Sequence, residues 1–144
     1  MKISIGCDPG GYQQKQAVIK YLLDAGYEVE DVGTYNEESC HYPIYGEAAA
    51  RKVASGECQF GIVICTSGEG IMISANKVPG VRCGLASNDD VARLMRQHND
   101  ANMIAFGAKF MSDEEVINRI KIFLETKFEG GRHALRVDLI NKIK

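Results

Sequence analysis

Apolar runs of strand length alternate with stretches of helical period along the whole chain. Ile3-Ser4-Ile5-Gly6-Cys7 reads as a strand, and Asp8-Pro9-Gly10-Gly11 breaks it. Ala17, Val18, Tyr21, Leu22 and Ala25 then recur at the spacing of one helix face, with Gly26 where a left-handed cap is wanted. Glu28 to Val32 makes a second short strand. Pro43 opens a helical stretch carrying Ala48, Ala49 and Val53, closed near Gly56. Phe60-Gly61-Ile62-Val63-Ile64-Cys65 is apolar at successive positions, the pattern of a central parallel strand covered by helices on both faces. Val81 to Ala86 and Met103 to Phe106 are two further strands, separated by a helix over Asp89 to Gln97. Val116, Ile117, Ile120, Phe123 and Leu124 form another helix face, with Ser112 as N-cap and Glu115 completing a capping box. Phe128 to Arg132 breaks that helix, and a last one carries Leu135, Leu139, Ile140 and Ile143 as its apolar stripe.

Some five alternations of strand and helix predict an α/β fold, a Rossmann-like three-layer αβα sandwich on a five-stranded parallel sheet. The last helix falls outside the alternation. It is free to dock on a neighbouring subunit or on its own sheet. At 144 residues the chain suits one domain, 1–144, with no repeat or linker inside it. A hydrophobic fraction of 45% with 25% charged residues excludes disorder.

Seventeen Lys plus Arg against nineteen Asp plus Glu leave a net charge of −2, which argues against duplex nucleic acid or an anionic membrane as partner. No apolar run approaches the roughly 18 residues of a membrane span, and the first residues enter a strand with no export signal. The five cysteines (Cys7, Cys40, Cys58, Cys65, Cys83) show no CxxC spacing. Free thiols in a cytoplasmic protein, mostly packed as small hydrophobes, are expected. Cys and His are too scattered for a zinc pattern, so no metal is expected.

In open parallel sheets ligands bind beyond the carboxyl ends of the strands, which here are the loops at Asp8–Gly11, Tyr35–Pro43, Cys65–Gly70 and Gly107–Lys109. Cys65-Thr66-Ser67-Gly68-Glu69-Gly70 leaves the central strand and enters a helix through glycines and hydroxyls. Converging backbone N–H groups and the helix dipole there suit a phosphate or the oxyanion of an enediolate. A thiol at the head of a helix becomes available as base or nucleophile, although a buried strand-end cysteine fits the spacing equally well. The loop lacks the Gly-Lys-Ser/Thr of a P-loop and the dinucleotide fingerprint. His98, in the polar run Gln97-His98-Asn99-Asp100, is either a general acid or base or a solvated helix end. Arg132 and Arg136, four apart, share one helix face and form either a phosphate clamp or a solvated pair.

Taken together these segments resemble the type B ribose-5-phosphate isomerases and the related galactose-6-phosphate isomerase subunits. The resemblance rests on Ile5-Gly6-Cys7-Asp8, Tyr42-Pro43-x-Tyr45, Cys65-x-x-Gly68-x-Gly70-Ile71 and Ala75-Asn76-Lys77-Val78-Pro79-Gly80-Val81-Arg82. It continues through Arg96-x-His98-Asn99-Asp100-Ala101-Asn102, Phe106-Gly107-Ala108-Lys109 and Phe128-Glu129-Gly130-Gly131-Arg132-His133. It implies an aldose–ketose isomerase of sugar phosphates that needs no cofactor or metal. Cys65 matches the base that moves a proton between carbons 1 and 2 through a cis-enediolate. The N–H groups of Thr66, Ser67, Gly68, Glu69 and Gly70 match the anion hole, with the Ser67 hydroxyl supporting it. His98 matches the ring-opening residue, and Asn99 and Asp8 bind sugar hydroxyls while Tyr42 lines the pocket. Arg132 and Arg136 match the phosphate clamp, and Lys109 stands where a further arginine is usual. The resemblance also implies a homodimer whose sites draw on both chains, with pairing of dimers left open.

The chain departs from the family pattern around the expected ligand. Pro9 replaces a histidine that approaches the phosphate, Thr66 replaces a glycine, and Glu69 adds a carboxylate beside the anion hole. Lys109 keeps a charge but lacks the guanidinium fork. Ribose 5-phosphate is the leading substrate; a six-carbon 6-phosphate, a tetrose phosphate, or a weakly active sugar-phosphate binding protein or partner subunit are the alternatives.

Overall fold

The strand that is apolar at successive positions sits at the centre of the sheet. The computed structural model describes residues 1–144. It has strands β1 (Lys2–Cys7), β2 (Glu28–Gly33), β3 (Phe60–Cys65), β4 (Cys83–Leu85) and β5 (Met103–Gly107). All pair in parallel in the order β2-β1-β3-β5-β4. The helices are α1 (Tyr12–Asp24), α2 (Tyr42–Ala54), α3 (Glu69–Asn76), α4 (Asp89–Gln97), α5 (Asp113–Glu125) and α6 (Arg132–Asn141).

The pleat sends alternate side chains to opposite faces, and both faces are covered. Ile62 and Ile64 of β3, with Ile104 and Phe106 of β5, pack under α1, α4 and α5 against Val18, Leu22, Met95, Ile120 and Phe123. Val63, Cys65, Met103 and Ala105 pack under α2 and α3 against Ala49, Ala50, Val53, Ile71 and Ala75. The small side chains of that second set let α2 and α3 approach closely: a Cβ on Gly46 would stand 3.1 Å from the Ile71 carbonyl oxygen. The predicted caps form, Ser112 and Glu115 closing a capping box at α5 and Gly26 lying just past α1 at φ +91°.

Two elements differ from expectation. Strand β4 has three residues instead of six. The Asn76 side chain donates to the Cys83 carbonyl at 2.9 Å and accepts from its N–H at 2.7 Å, taking the outward backbone groups of this edge strand. Helix α6 ends before Ile143 and turns His133 and Val137 inward, while Leu135, Leu139 and Ile140 face out. Its apolar stripe is not docked on the chain's own sheet.

Candidate active site

The chain leaves β1 for β2 on one side and returns to β3 on the other, so a crevice opens beyond the carboxyl ends of β1 and β3. Cys65 ends β3 there, 4% exposed, and its sulfur accepts a hydrogen bond from the Gly68 N–H at 3.1 Å. Cys7 lies against the Thr34 carbonyl as a donor, and burial pushes its thiol up to about 12. Burial also raises Cys58 and Cys83. Cys40 is half-buried outside the core.

Gly68 caps α3 at φ +87°, a left-handed turn, and a Cβ there would strike Leu85 and the Phe106–Gly107 backbone. A Cβ on Gly107 would run into the Ser67 carbonyl. The turn is thus clamped against the end of β5, where the Lys109 N–H also donates to the Thr66 carbonyl at 3.1 Å. Its N–H groups divide into two sets. Gly68 serves Cys65, Glu69 donates to the Ser67 hydroxyl at 3.2 Å, and Thr66 faces the Asp8 carboxylate at 3.4 Å. Those of Ser67, Gly70 and Ile71 have no acceptor in the chain and sit at the positive end of the α3 dipole. The ring of Tyr42, first residue of α2, lies over Gly70, so that a Cβ there would meet it at 2.6 Å. The Glu69 side chain is exposed and unpaired in the first turn of α3.

Thr66 is accommodated by the breaker after β1. Asp8 accepts from the Gly11 N–H at 2.8 Å, folding Pro9–Gly11 into a 3-10 turn, and presents its second oxygen to the Thr66 hydroxyl at 3.5 Å. Any Cβ on Gly10 would collide with that hydroxyl. Gly10→Ala should therefore cost about 1–3 kcal/mol by overpacking, read as a lower urea midpoint. Adding Thr66→Gly should recover most of the loss, and a purely additive double variant would contradict this contact.

His98 lies elsewhere. Helix α4 runs back from the carboxyl edge, and His98 caps its far end five residues before Met103, the β5 residue paired with Gly61 at the start of β3. Arg96, 8% exposed, fixes this corner through Asp100 at 2.7 Å and the Ala101 and Thr126 carbonyls, under the rings of Phe60 and Phe123. The His133 ring stacks on His98, centroids 4.3 Å apart and 14° from parallel, and Glu129 stands beside both. Burial, then His98 and Arg132, lower the His133 pKa against the pull of Glu129. Arg132 and Arg136 project from the same helix into solvent. Every other arginine is held by a carboxylate: Arg51, Arg82, Arg93, Arg96 and Arg119. Those two alone are unpaired.

The residues singled out in the sequence thus fall into two groups. Asp8, Pro9, Tyr42, Cys65 to Gly70 and Lys109 gather at the carboxyl edge of the sheet, while His98, Asn99, Arg132 and Arg136 gather at the amino edge. A strand of this length separates the groups by roughly 20 Å. One chain does not bring them together. His133 and Glu129 are the neighbours that motif reading left without a role; they come from the Phe128–His133 segment, which stands far from His98 in the sequence.

A doubly wound parallel sheet with a thiol and an open anion-binding turn at its switch point defines a protein for small anionic substrates. Residues 3–140 match the family model described as Ribose/Galactose Isomerase. The chain is 41% identical over 143 residues to ribose-5-phosphate isomerase B of Escherichia coli, covering 99% of this chain and 96% of that protein. It is 43% identical over 129 residues to the galactose-6-phosphate isomerase subunit LacB of Clostridium acetobutylicum, covering 90% and 75%. The solved structure of Clostridium thermocellum ribose-5-phosphate isomerase B superposes with a TM-score of 0.97 at 46% identity, covering 99% of this chain and 96% of that one. The chain belongs to the ribose/galactose isomerase family and is a sugar-phosphate isomerase. No helix is long and apolar enough to cross a membrane.

Proposed function

We propose that residues 1–144 act as one domain that interconverts ribose 5-phosphate and ribulose 5-phosphate. The observation that carries this reading is the Cys65 sulfur facing the Gly68 N–H beside backbone donors with no acceptor of their own. Cys65 takes the proton from carbon 2 of the open-chain aldose, and negative charge moves to the oxygen on carbon 1. The N–H groups of Ser67 and Gly70 stabilise that charge, and the Ser67 hydroxyl holds the turn in shape. A proton passes between the two enediolate oxygens, and Cys65 returns its own to carbon 1. His98 opens the furanose by moving the anomeric hydroxyl proton to the ring oxygen. Asp8 and Asn99 bind sugar hydroxyls, Tyr42 lines the pocket over Gly70, and Arg132, Arg136 and Lys109 meet the phosphate. Thr66 and Glu69 approach the sugar where the family has smaller or uncharged residues, and Pro9 leaves the phosphate to the basic side chains.

The two groups of residues meet across two copies of the chain. In a homodimer related by a two-fold axis, the carboxyl edge of one copy faces the amino edge of the other, giving two complete sites. The exposed Leu135, Leu139 and Ile140 of α6 supply the apolar surface for that contact. The near-neutral net charge fits as well, because the positive field needed for one phosphate is local to Arg132 and Arg136. The similarity to a galactose-6-phosphate isomerase subunit favours a six-carbon substrate as the second reading. Assaying the purified protein across four- to six-carbon aldose and ketose phosphates separates them. The highest kcat/KM is expected for the ribose 5-phosphate pair, and no turnover of any sugar phosphate would refute the proposal.

A further inference from the structure

Asp100 is the one residue other than glycine with a left-handed backbone, at φ +46°; the remaining seven positive-φ positions are all glycine. A glycine would take that conformation with no Cβ to crowd, so an aspartate held there points to a use for its side chain. The backbone closes the end of α4 around it: the Asp100 N–H donates to the Arg96 carbonyl at 3.3 Å and the Ala101 N–H to the Met95 carbonyl at 2.9 Å. This turn carries His98 and Asn99, which stand immediately ahead of Asp100 at the amino edge.

The Asp100 side chain is gripped from two sides. Arg96 Nη1 reaches one carboxylate oxygen at 2.7 Å, and Arg82 Nη2 stands 3.6 Å from the other. Arg82 Nε also donates to the Asp100 carbonyl at 2.9 Å. The Arg96 and Arg82 side chains are only 9% and 15% exposed, so loss of the carboxylate would leave each without the partner that burial demands. Each arginine has a second anchor. Arg96 donates to the Thr126 carbonyl at the end of α5, and Arg82 donates to Asn141, the last residue of α6, at 2.9 Å. Helix α6 is the one that carries Arg132 and Arg136. The carboxylate thus ties the His98 turn to the frame of that helix.

We propose that Asp100 is a positioning residue for the isomerisation: through Arg96 and Arg82 its carboxylate fixes the turn that presents His98 to the sugar, at a set distance from Arg132 and Arg136. Asp100 acts through His98 and not on the sugar itself. The proposal rests on the ring-opening role given to His98 above. Proton transfer is sensitive to such placement, a shift of about 1 Å costing on the order of 10²-fold in rate.

The test compares Asp100→Gly, Asp100→Asn and His98→Asn with the parent, as full-length proteins in their native assembly. Steady-state kinetics use the sugar phosphate with the highest kcat/KM, and urea denaturation reports the fold. Glycine keeps the left-handed turn and removes its crowding, so Asp100→Gly should still unfold cooperatively. Its kcat should nonetheless fall about 10–100-fold, with KM within about twofold of the parent's. Asparagine also tolerates the left-handed region, keeps one acceptor for Arg96 and loses the charge, so Asp100→Asn should lie between glycine and the parent. If the glycine variant does not fold, the asparagine variant decides in the same way. Were Asp100 a turn residue only, glycine would serve as well. Parental kcat in the folded variants therefore overturns the proposal, and so does a loss confined to KM. Parental turnover in His98→Asn refutes the ring-opening role, and the positioning role with it. An inactive His98→Asn beside a fully active Asp100→Gly leaves the role of His98 standing and removes Asp100 from it.

Discussion

Cys65→Ala should leave a folded protein whose isomerase turnover is lower by about 10²–10⁴-fold, the range a positioned general base contributes. The fold should tolerate the change, because a small side chain is replaced by a smaller one against Ala105 and Val63 on a face already rich in alanine. The loss should fall on kcat, with KM little changed, since the role proposed for Cys65 is to move the proton and the phosphate is proposed to bind elsewhere. Serine in the same place should do no better, its hydroxyl being a far weaker base at neutral pH. Three of the other thiols, Cys7, Cys58 and Cys83, are pushed up by burial and cannot stand in. Turnover within tenfold of the parent after Cys65→Ala would remove the proposed base.

Replacing both Arg132 and Arg136 by alanine should act differently. A hydrogen bond to a charged group contributes roughly 1.5–3 kcal/mol, so losing the pair should lower kcat/KM at least about a hundredfold. Stability should hardly move, because neither guanidinium bonds anything within the chain, and surface changes stay within about 0.5 kcal/mol. Arg132→Lys is the informative intermediate: it keeps the charge and loses the bidentate fork, and should recover part of the affinity. A double variant whose kcat/KM equals the parent's, measured by steady-state assay, would place the phosphate elsewhere.

The sheet and its two covered faces were readable because the pattern changes period at each element, and because Phe60 to Cys65 can only be a strand buried on both sides. The Cys65 turn was readable for a similar reason, since glycines and hydroxyls between an apolar strand and a helix have few other uses. What stayed hidden depends on distant partners. Lys15 reads as the polar side of its helix, yet it is fully buried, its ammonium bonded to Asp31 and the Thr34 carbonyl. Strand β4 reads longer than it is because the Asn76 clamp comes from another element. The resemblance implied sites drawn from two chains, and His98, in the turn from α4 into β5, stands at the amino edge as every helix-to-strand turn of a parallel sheet does; what stayed hidden is that His133 and Glu129 meet it, which they do only once α5 has returned the chain to that corner.

In the proposed homodimer a working site joins the Cys65 edge of one copy to the His98 edge of another. Two inactive chains, Cys65→Ala and His98→Asn, are co-expressed with different tags, and the mixed dimer is purified through both. One of its two sites then carries both native residues and the other carries neither. This mixed dimer should regain about half of the parent's turnover. A mixed dimer no more active than either inactive parent would contradict that pairing of edges.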